Sequence, residues 1–295
     1  MSHAPEPDQE PWTIQRLLGW TTRFFETKGI ETARVDAELL LAHALGWERI
    51  QLYARFDHQP GEDVLASFRR MVRHRAKRVP ARYLTGETEF YSLTFAVSPA
   101  VLIPRPETEF LVERALELLP SERDLLVADL GTGCGAIAVA VARQRPGARV
   151  VATDASPQAL EVARANARRH QVAERIDFRQ GQWFAALRAE ERFEALLSNP
   201  PYVARGELEQ AMPEVRDHEP RAALDGGPDG LDALRVLVAE APAWLKAGGW
   251  LVVEMGQGQA NAVRRLAEAQ KSYTAVEVRP DYRGIPRIAS MQKEG

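Results

Sequence analysis

One short segment, residues 129–135, constrains the fold of this 295-residue chain more than any other. It reads Asp-Leu-Gly-Thr-Gly-Cys-Gly, follows an apolar run at 126–130 that predicts a buried strand, and precedes a predicted helix. Glycines at such a point let the backbone turn sharply and let a ligand approach without a Cβ in the way. The segment therefore predicts a strand–loop–helix unit of an α/β sheet, with a ligand site at the turn.

Asp154 stands about twenty residues further on, at the end of the next predicted strand. A carboxylate at that place can accept hydrogen bonds from ribose hydroxyls. The glycines are spaced Gly-x-Gly-x-Gly, whereas dinucleotide binding requires Gly-x-Gly-x-x-Gly. A plain turn between a strand and a helix is the alternative, and Asp154 argues against it.

From residue 125 onward, predicted strands and helices alternate in the manner of an α/β domain. The predicted strands cover 126–130, 149–153, 176–179, 195–198 and 250–254, with two short ones near 273–278 and 286–290. Predicted helices begin at 135 and cover 157–170 and 231–246, and one more lies in the tail.

The N-terminal part has a different pattern. Apolar residues at helical spacing predict a helix from residue 14 with Thr13 as its cap, a second over 33–45 that stops at Gly46, and a third from about residue 62. An aromatic and β-branched run at 87–98 predicts a β-hairpin. The predicted division is a disordered tail at 1–11, a helical domain at 12–80, a hairpin and loop linker at 81–108, and an α/β domain at 109–295.

Composition excludes several classes of function. The formal net charge of −3, from 38 Lys and Arg against 41 Asp and Glu, argues against a general nucleic-acid coat. A single cysteine, Cys134, and six isolated histidines predict no metal site. No apolar run approaches the roughly 18 residues of a membrane span, and the polar N-terminus predicts no export signal. We therefore expect a cytoplasmic protein.

A second segment, Asn199-Pro200-Pro201-Tyr202, follows the predicted strand at 195–198, at the sheet edge where open α/β sheets bind ligands. Amide and aromatic-amine nitrogens are weak nucleophiles, so a site that methylates them must fix both N–H bonds. The Asn199 side-chain carbonyl and the Pro200 backbone carbonyl can accept those hydrogens, and Tyr202 offers a flat face to a planar group. The pattern predicts methylation of either a nucleobase amino group or a protein glutamine amide; a turn that merely ends a strand is the structural alternative.

The glycine segment resembles motif I of the class I S-adenosylmethionine-dependent methyltransferases. Three other stretches resemble the peptide-chain-release-factor glutamine methyltransferases, the HemK/PrmC family: Tyr-Leu-Thr-Gly with Glu-Phe at 83–90, Ile-Pro-Arg-Pro-Glu-Thr-Glu at 103–109, and Gly-Gly-Pro-Asp-Gly-Leu at 226–231. The resemblance extends over roughly residues 13–290. It implies a Rossmann-like methyltransferase domain with a mainly parallel sheet, preceded by a small all-α helical bundle and a β-hairpin linker.

The family's activity implies methyl transfer from S-adenosylmethionine to the side-chain nitrogen (N5) of the glutamine in the Gly-Gly-Gln motif of class 1 release factors, a translation-termination modification. The cofactor residues implied are Gly131, Thr132, Gly133, Cys134 and Gly135 for the methionine part, Asp154 for the ribose, Trp183 for the adenine, and Asn199. The substrate residues implied are Asn199, Pro200, Pro201 and Tyr202, with Asn199, Pro200 and Tyr202 assigned to catalysis. A monomer with a release factor as its partner is expected, with no membrane or nucleic-acid partner. An adenine N6-type methyltransferase of nucleic acid is the alternative.

Three weaker features leave alternatives open. Arg105 and Glu107 lie in the proline-rich loop and either close over the cofactor or form a surface ion pair. Residues 218–221 either border the protein substrate or form an ordinary loop. The basic run at 69–82 is a solvated face, a docking surface for acidic faces of a release factor, or a nucleic-acid contact. Within that run, Arg75 falls on the apolar stripe of its predicted helix.

Overall fold

The computed structural model describes residues 11–120 and 124–295, and these form two compact units with a boundary between Gly86 and Glu87. The domain boundary predicted after residue 80 lies six residues before this one. The predicted disorder at 1–11 falls almost wholly outside the described residues. Of the helices in the described ranges, none combines the length and the apolar character needed to cross a membrane.

The first unit is helical. Its helices are α1 (Ile14–Thr27), α2 (Ala33–Leu45), α3 (Arg49–Ala54), α4 (Glu62–Arg75) and α5 (Ala81–Thr85). Thr13 caps α1 as predicted, because its side chain accepts a hydrogen bond from the Arg16 amide at 3.3 Å. The sequence pattern does not predict α3 and α5, since helices of six and five residues are too short to show helical periodicity.

Apolar side chains of α1, α2 and α4 form the core of this unit. Arg75 lies in the same core, as its place on the apolar stripe of α4 predicts, and is only 3% exposed. Its guanidinium donates to the Asp36 carboxylate at 2.7 Å, and the Thr32 hydroxyl donates to the same carboxylate at 2.8 Å. The buried charge is tolerated because it is both paired and hydrogen-bonded.

The second unit begins with the predicted hairpin, formed by β1 (Glu87–Phe90) and β2 (Leu93–Ala96). Its other strands are β3 (Leu125–Leu130), β4 (Ala148–Asp154), β5 (Ile176–Gln180), β6 (Phe193–Ser198), β7 (Leu245–Glu254), β8 (Tyr273–Pro280) and β9 (Pro286–Lys293). Its helices are α6 (Thr108–Leu118), α7 (Ala136–Gln144), α8 (Pro157–Arg169), α9 (Arg205–Leu208), α10 (Pro213–His218), α11 (Asp232–Trp244) and α12 (Ala260–Gln270). The strands predicted from residue 126 onward are present, with ends displaced by at most five residues.

Among the described residues, seven strands form one sheet in the order β5-β4-β3-β6-β7-β9-β8. Strands β3 to β7 run parallel, and β9 pairs antiparallel with β7 and β8. The strand order reverses at β3, and open sheets bind ligands at the carboxyl ends of the strands at such a switch point. The glycine loop after β3 and the Asn-Pro-Pro-Tyr loop after β6 therefore start from neighbouring strands. The mainly parallel sheet, with a helical unit and a hairpin before it, confirms the predicted fold class.

Asn166, a fully buried residue of α8, attaches the hairpin to the sheet. Its side-chain amide donates to the carbonyls of Ala96 at 3.0 Å and of Cys134 at 2.8 Å, and its side-chain oxygen accepts from the Ala96 amide at 2.7 Å. One side chain thus holds β2 and the glycine loop together. The hairpin is consequently part of the second unit.

Candidate active site

A pocket of about 450 Å³ opens at the carboxyl ends of β3, β4 and β6, a size suited to a small-molecule ligand. Most of the predicted cofactor residues line it: Gly131, Thr132, Gly133, Cys134, Asp154, Trp183 and Asn199. Of the predicted substrate residues, Asn199 and Pro201 line it. Gly135, Pro200 and Tyr202 are not among the residues that line it.

The glycine loop is held in place by the end of β4. The amides of Gly131 and Thr132 both donate to the Thr153 carbonyl, at 2.9 and 2.8 Å. Gly131 has a φ of 78°, and a Cβ added there would lie 3.4 Å from the Trp183 ring. Gly135 has a φ of 84°, and a Cβ added there would lie 3.1 Å from the Cβ of Ala163 on α8. Gly135 therefore allows the start of α7 to approach α8 closely, and it does not line the pocket.

Cys134 takes part in the site through its backbone. Its side chain is buried, and burial raises the pKa of the thiol to about 12. The thiol is consequently neutral at physiological pH, and the position works as a small apolar residue.

Asp129, the last but one residue of β3, is completely buried. Its Oδ2 accepts hydrogen bonds from the Thr132 hydroxyl at 2.6 Å and the Ala138 amide at 3.1 Å. Its Oδ1 is buried and has no hydrogen-bond partner within the described part of the chain. Burial raises the pKa of this carboxyl to about 7, against the opposing effect of the two hydrogen bonds.

Asp154 at the end of β4 accepts one hydrogen bond on each oxygen. The Gly133 amide donates to Oδ2 at 2.9 Å and the Ser156 amide to Oδ1 at 2.8 Å. Because each carboxylate oxygen can accept a second hydrogen bond, both oxygens retain capacity for a hydroxyl pair. The geometry is compatible with the ribose role predicted for Asp154.

Trp183 lies between the apolar core of the sheet and the pocket. Its ring packs against the apolar core of the sheet and also lines the pocket beside Gly131. Its backbone has a φ of 48°, in the left-handed region that a bulky residue adopts only when surrounding structure enforces it. The contacts of the indole ring with the core and with Gly131 hold it at the wall of the pocket.

The Asn-Pro-Pro-Tyr loop is anchored by a chain of hydrogen bonds that ends on Glu254. The Asn199 side-chain amide donates to the Thr108 hydroxyl at 2.9 Å, and that hydroxyl donates to Glu254 Oε2 at 2.7 Å. The Tyr202 hydroxyl donates to Glu254 Oε1 at 3.0 Å. Two elements distant in sequence, the start of α6 and the end of β7, therefore fix both ends of the loop.

Glu254 and Thr108 are site residues that the sequence reasoning missed. Glu254 is fully buried; burial raises its pKa, and the hydrogen bonds from Thr108 and Tyr202 oppose that rise. Burial, together with the neighbouring negative charge of Glu254, raises the pKa of the Tyr202 hydroxyl, which therefore stays protonated and donates. A signal was present in the sequence, since Glu254 ends an apolar strand at the ligand-binding edge of the sheet.

Gln259 forms a second clamp on the same loop. Its side-chain nitrogen donates to the carbonyls of Tyr202 at 2.9 Å and Gly230 at 3.1 Å, and its side-chain oxygen accepts from the Gly256 amide at 2.8 Å. These contacts explain the Gly-Gly-Pro-Asp-Gly stretch at 226–230, which lies directly behind the loop. A Cβ added at Gly230 would be only 2.4 Å from the Tyr202 carbonyl oxygen.

Arg105 does not pair with Glu107, the partner that the sequence suggested. Its guanidinium donates to Glu219 at 2.6 Å, and the Glu219 side chain is only 2% exposed. The ion pair joins the loop at 100–104 to the segment at 220–223, and both line the pocket. Of the two alternatives left open for Arg105 and Glu107, the surface ion pair between them is contradicted, because Arg105 pairs with the buried Glu219 instead.

The fold and the site together define a class I methyltransferase. The family described as "Methyltransferase small domain" matches residues 107–216, and the family described as "PrmC N-terminal domain" matches residues 16–86. A solved methyltransferase from Pyrococcus furiosus superimposes with a TM-score of 0.52 at 18% identity, over 70% of this chain and 91% of its own. That likeness shows a shared fold.

Similarity to proteins of known family is much closer at the level of sequence. A release factor glutamine methyltransferase of Geobacter sulfurreducens is 48% identical over 254 residues, which are 86% of this chain and 88% of the relative. Another, from Rhodopirellula baltica, is 41% identical over 294 residues, 98% of this chain and 99% of the relative. The chain belongs to the release factor glutamine methyltransferase family, which confirms the predicted family and enzyme class.

Proposed function

We propose that this protein transfers a methyl group from S-adenosylmethionine to the side-chain amide nitrogen (N5) of the glutamine in the Gly-Gly-Gln motif of class 1 peptide chain release factors. A pair of acceptors carries the proposal. Within the described residues, neither the Asn199 side-chain carbonyl nor the Pro200 backbone carbonyl accepts a hydrogen bond. Two acceptors on consecutive residues without a protein partner match the two hydrogens of a primary amide.

The residues of the loop perform a positioning task. Asn199 and Pro200 accept the two N–H hydrogens, so the nitrogen lone pair has one direction left in which to react. Pro200 and Pro201 restrict the backbone that carries these acceptors, and the aromatic ring of Tyr202 has a flat face suited to a planar amide. Alignment of this kind supplies on the order of 7–11 kcal/mol in the best intramolecular reactions. The site needs no strong base, because a methylated amide nitrogen loses its extra proton to water.

The pocket residues fit S-adenosylmethionine. Asp154 lines the pocket and keeps acceptor capacity on both oxygens for ribose hydroxyls. Gly133 leaves open space where a Cβ would stand, so the backbone can approach the methionine part of a ligand. When bound, S-adenosylmethionine supplies an electrophilic methyl group: its carbon–sulfur bond breaks as the carbon–nitrogen bond forms, the sulfur leaves neutral, and one proton passes to solvent.

Release factors are the named substrates of the relatives, and we assign class 1 release factors as the partner of this chain. The helical unit supplies a basic surface for docking. Arg69, Arg70 and Arg73 lie exposed on α4, where they can meet the acidic faces of a protein substrate. We further propose that the enzyme acts as a monomer, in the cytoplasm.

Transfer of labelled methyl groups tests the proposal. The purified protein would be incubated with labelled S-adenosylmethionine and, separately, a class 1 release factor, the same factor with Gln→Ala in its Gly-Gly-Gln motif, and a nucleic acid. We expect label on the unaltered factor alone. Label on the nucleic acid would instead assign the site to a base amino group.

The Asn199→Ala variant tests the role of the loop in the same assay. Turnover should collapse, because one of the two amide acceptors is lost, while cofactor affinity measured by calorimetry stays near the parental value. An equal loss of turnover and cofactor affinity would contradict the assigned role of Asn199.

A further inference from the structure

The direction of the hydrogen bonds between Asn199 and Glu254 can be worked out from a count of protons. Thr108 has one hydroxyl proton and lies between the two, 2.9 Å from the Asn199 side-chain nitrogen and 2.7 Å from Glu254 Oε2. In its ionised form Glu254 accepts hydrogen bonds and cannot donate them, and each of its oxygens faces one hydroxyl, Oε2 that of Thr108 and Oε1 that of Tyr202. The threonine proton must therefore point to Glu254, and the oxygen of the hydroxyl is left as an acceptor.

This direction decides which end of the Asn199 amide faces the substrate. Oxygen and nitrogen of an asparagine side chain are distinguished only by the hydrogen bonds around them. Since the Thr108 oxygen is an acceptor, it holds the NH₂ end of Asn199. The carbonyl end is then the one left to accept a hydrogen from a bound amide, as the proposed chemistry requires.

We propose that Thr108 and Glu254 are positioning residues that fix the orientation of the Asn199 amide. The kinetic test of this inference rests on the proposed function. The hydrogen bond between Asn199 and Thr108 can be tested without any measurement of activity. Without the hydroxyl, the Asn199 amide can rotate by 180° and present its NH₂ group, which repels the N–H of a substrate amide. Tyr202 shares the same carboxylate, so Glu254 aligns the two ends of the loop together.

Thr108→Val and Thr108→Ser form the decisive pair. Valine keeps the shape of threonine and removes the hydroxyl, whereas serine keeps the hydroxyl and removes the methyl group. Thr21→Val is the matched control, because the buried Thr21 hydroxyl has no hydrogen-bond partner within the described residues and lies in α1 of the other unit. Thermal unfolding of each variant verifies that it is folded.

With release factor as substrate, we expect Thr108→Val to lower kcat on the order of 100-fold, the cost of a misplaced catalytic group. The KM for the factor should change by less than about threefold, because the lost interaction acts in the transition state. Thr108→Ser should recover most of the rate, and Thr21→Val should match the parent. Calorimetry should give the same cofactor affinity for all four proteins.

Three outcomes would overturn the proposal. A Thr108→Val variant within about threefold of the parental kcat would mean that the orientation does not limit the reaction. Equal losses in the valine and serine variants would mean that any change of the Thr108 side chain disturbs the site and that the hydroxyl has no special role. A parallel loss of cofactor affinity would make Thr108 a cofactor residue.

A second measurement does not depend on activity. Nuclear magnetic resonance of protein labelled with ¹⁵N-asparagine, assigned by comparison with Asn199→Asp, follows exchange of the Asn199 side-chain protons. We expect slow exchange in the parent and the serine variant and fast exchange in the valine variant. Fast exchange in the parent would refute the hydrogen bond even if the valine variant failed to fold. A parent with slow exchange and no methyl transfer would refute the proposed function instead.

Discussion

Gly230 is a position where adding a single methyl group would act directly on the backbone of the Asn-Pro-Pro-Tyr loop. Its φ is +77°, and a Cβ added there would lie 2.4 Å from the Tyr202 carbonyl oxygen and 2.7 Å from the Gln259 side-chain nitrogen. Gly284, in the turn between β8 and β9, has the same φ of +77° and no heavy atom within 4 Å of the added Cβ. Gly230→Ala and Gly284→Ala therefore both place a side chain on a left-handed backbone, and only Gly230→Ala also produces a steric clash.

The shared cost is the left-handed backbone, about 1–2 kcal/mol for a residue with a Cβ. The additional cost at Gly230 comes from the clash, because the Tyr202 carbonyl must retreat from 2.4 Å to at least 3.0 Å. Forcing such a shift in a tightly packed region costs about 1–3 kcal/mol. The moved carbonyl belongs to the loop that carries Asn199, so the shift also displaces the amide acceptors. A displacement of this size should lower kcat on the order of 10- to 100-fold.

Urea unfolding and methyl-transfer kinetics on both variants measure the two effects separately. Gly284→Ala should lose stability by the shared amount and keep the parental kcat. Gly230→Ala should be less stable than Gly284→Ala and should lose turnover with little change in cofactor affinity. If the two variants were indistinguishable in stability and in kcat, the reasoning from the clash would be refuted.

Three further predictions concern buried charges. Because the pKa of Asp129 is raised to about 7, the folded parent protein loses stability as the pH rises from 4 to 7, whereas Asp129→Asn does not titrate there. The free energy of unfolding of Asp129→Asn minus that of the parent should therefore rise by at most about 4 kcal/mol over this range. A difference that stays constant from pH 4 to pH 7 would contradict this prediction. Arg105→Met should cost about 1–3 kcal/mol in urea unfolding, because Glu219 is left buried without its partner, and the loss should shrink when Glu219→Gln is also present. Arg75→Met should lower the free energy of unfolding by about 3–5 kcal/mol, because the buried Asp36 loses its partner. Arg73→Met, on the exposed face of α4, should change it by no more than about 0.5 kcal/mol. Equal effects of the two substitutions would show that the buried ion pair does not contribute to stability.

The sequence predicts the glycine loop, the Asn-Pro-Pro-Tyr loop and their common sheet edge because both loops are local patterns. A glycine loop after one parallel strand and a polar loop after another must meet at the carboxyl end of the sheet, whatever the details of the side chains. The position of Arg75 is predictable for the same reason, since helical periodicity places it on an apolar stripe. These inferences need no knowledge of what lies opposite each residue.

The hydrogen-bond and ion-pair partners of the site residues cannot be predicted in this way, because the two members of each pair lie far apart in the chain. Thr108 meets Glu254 across 146 positions, and Arg105 meets Glu219 across 114. The nearest opposite charge to Arg105 in the sequence is Glu107, which explains the wrong pairing. A charge pattern shows which residues can pair, and only the three-dimensional packing decides which of them do.

The contacts around the Asn-Pro-Pro-Tyr loop share a property that bears on catalysis. Thr108 and Glu254 hold its side chains, Gln259 holds the Tyr202 carbonyl, and Gly230 provides the space behind that carbonyl. All of these interactions are made by the protein's own residues, and together they hold the acceptors in one arrangement. A site prepared in this way loses transition-state alignment when a support is removed, while the binding of substrate distant from the amide is retained. Substitutions at these supports should therefore lower kcat more than they raise KM.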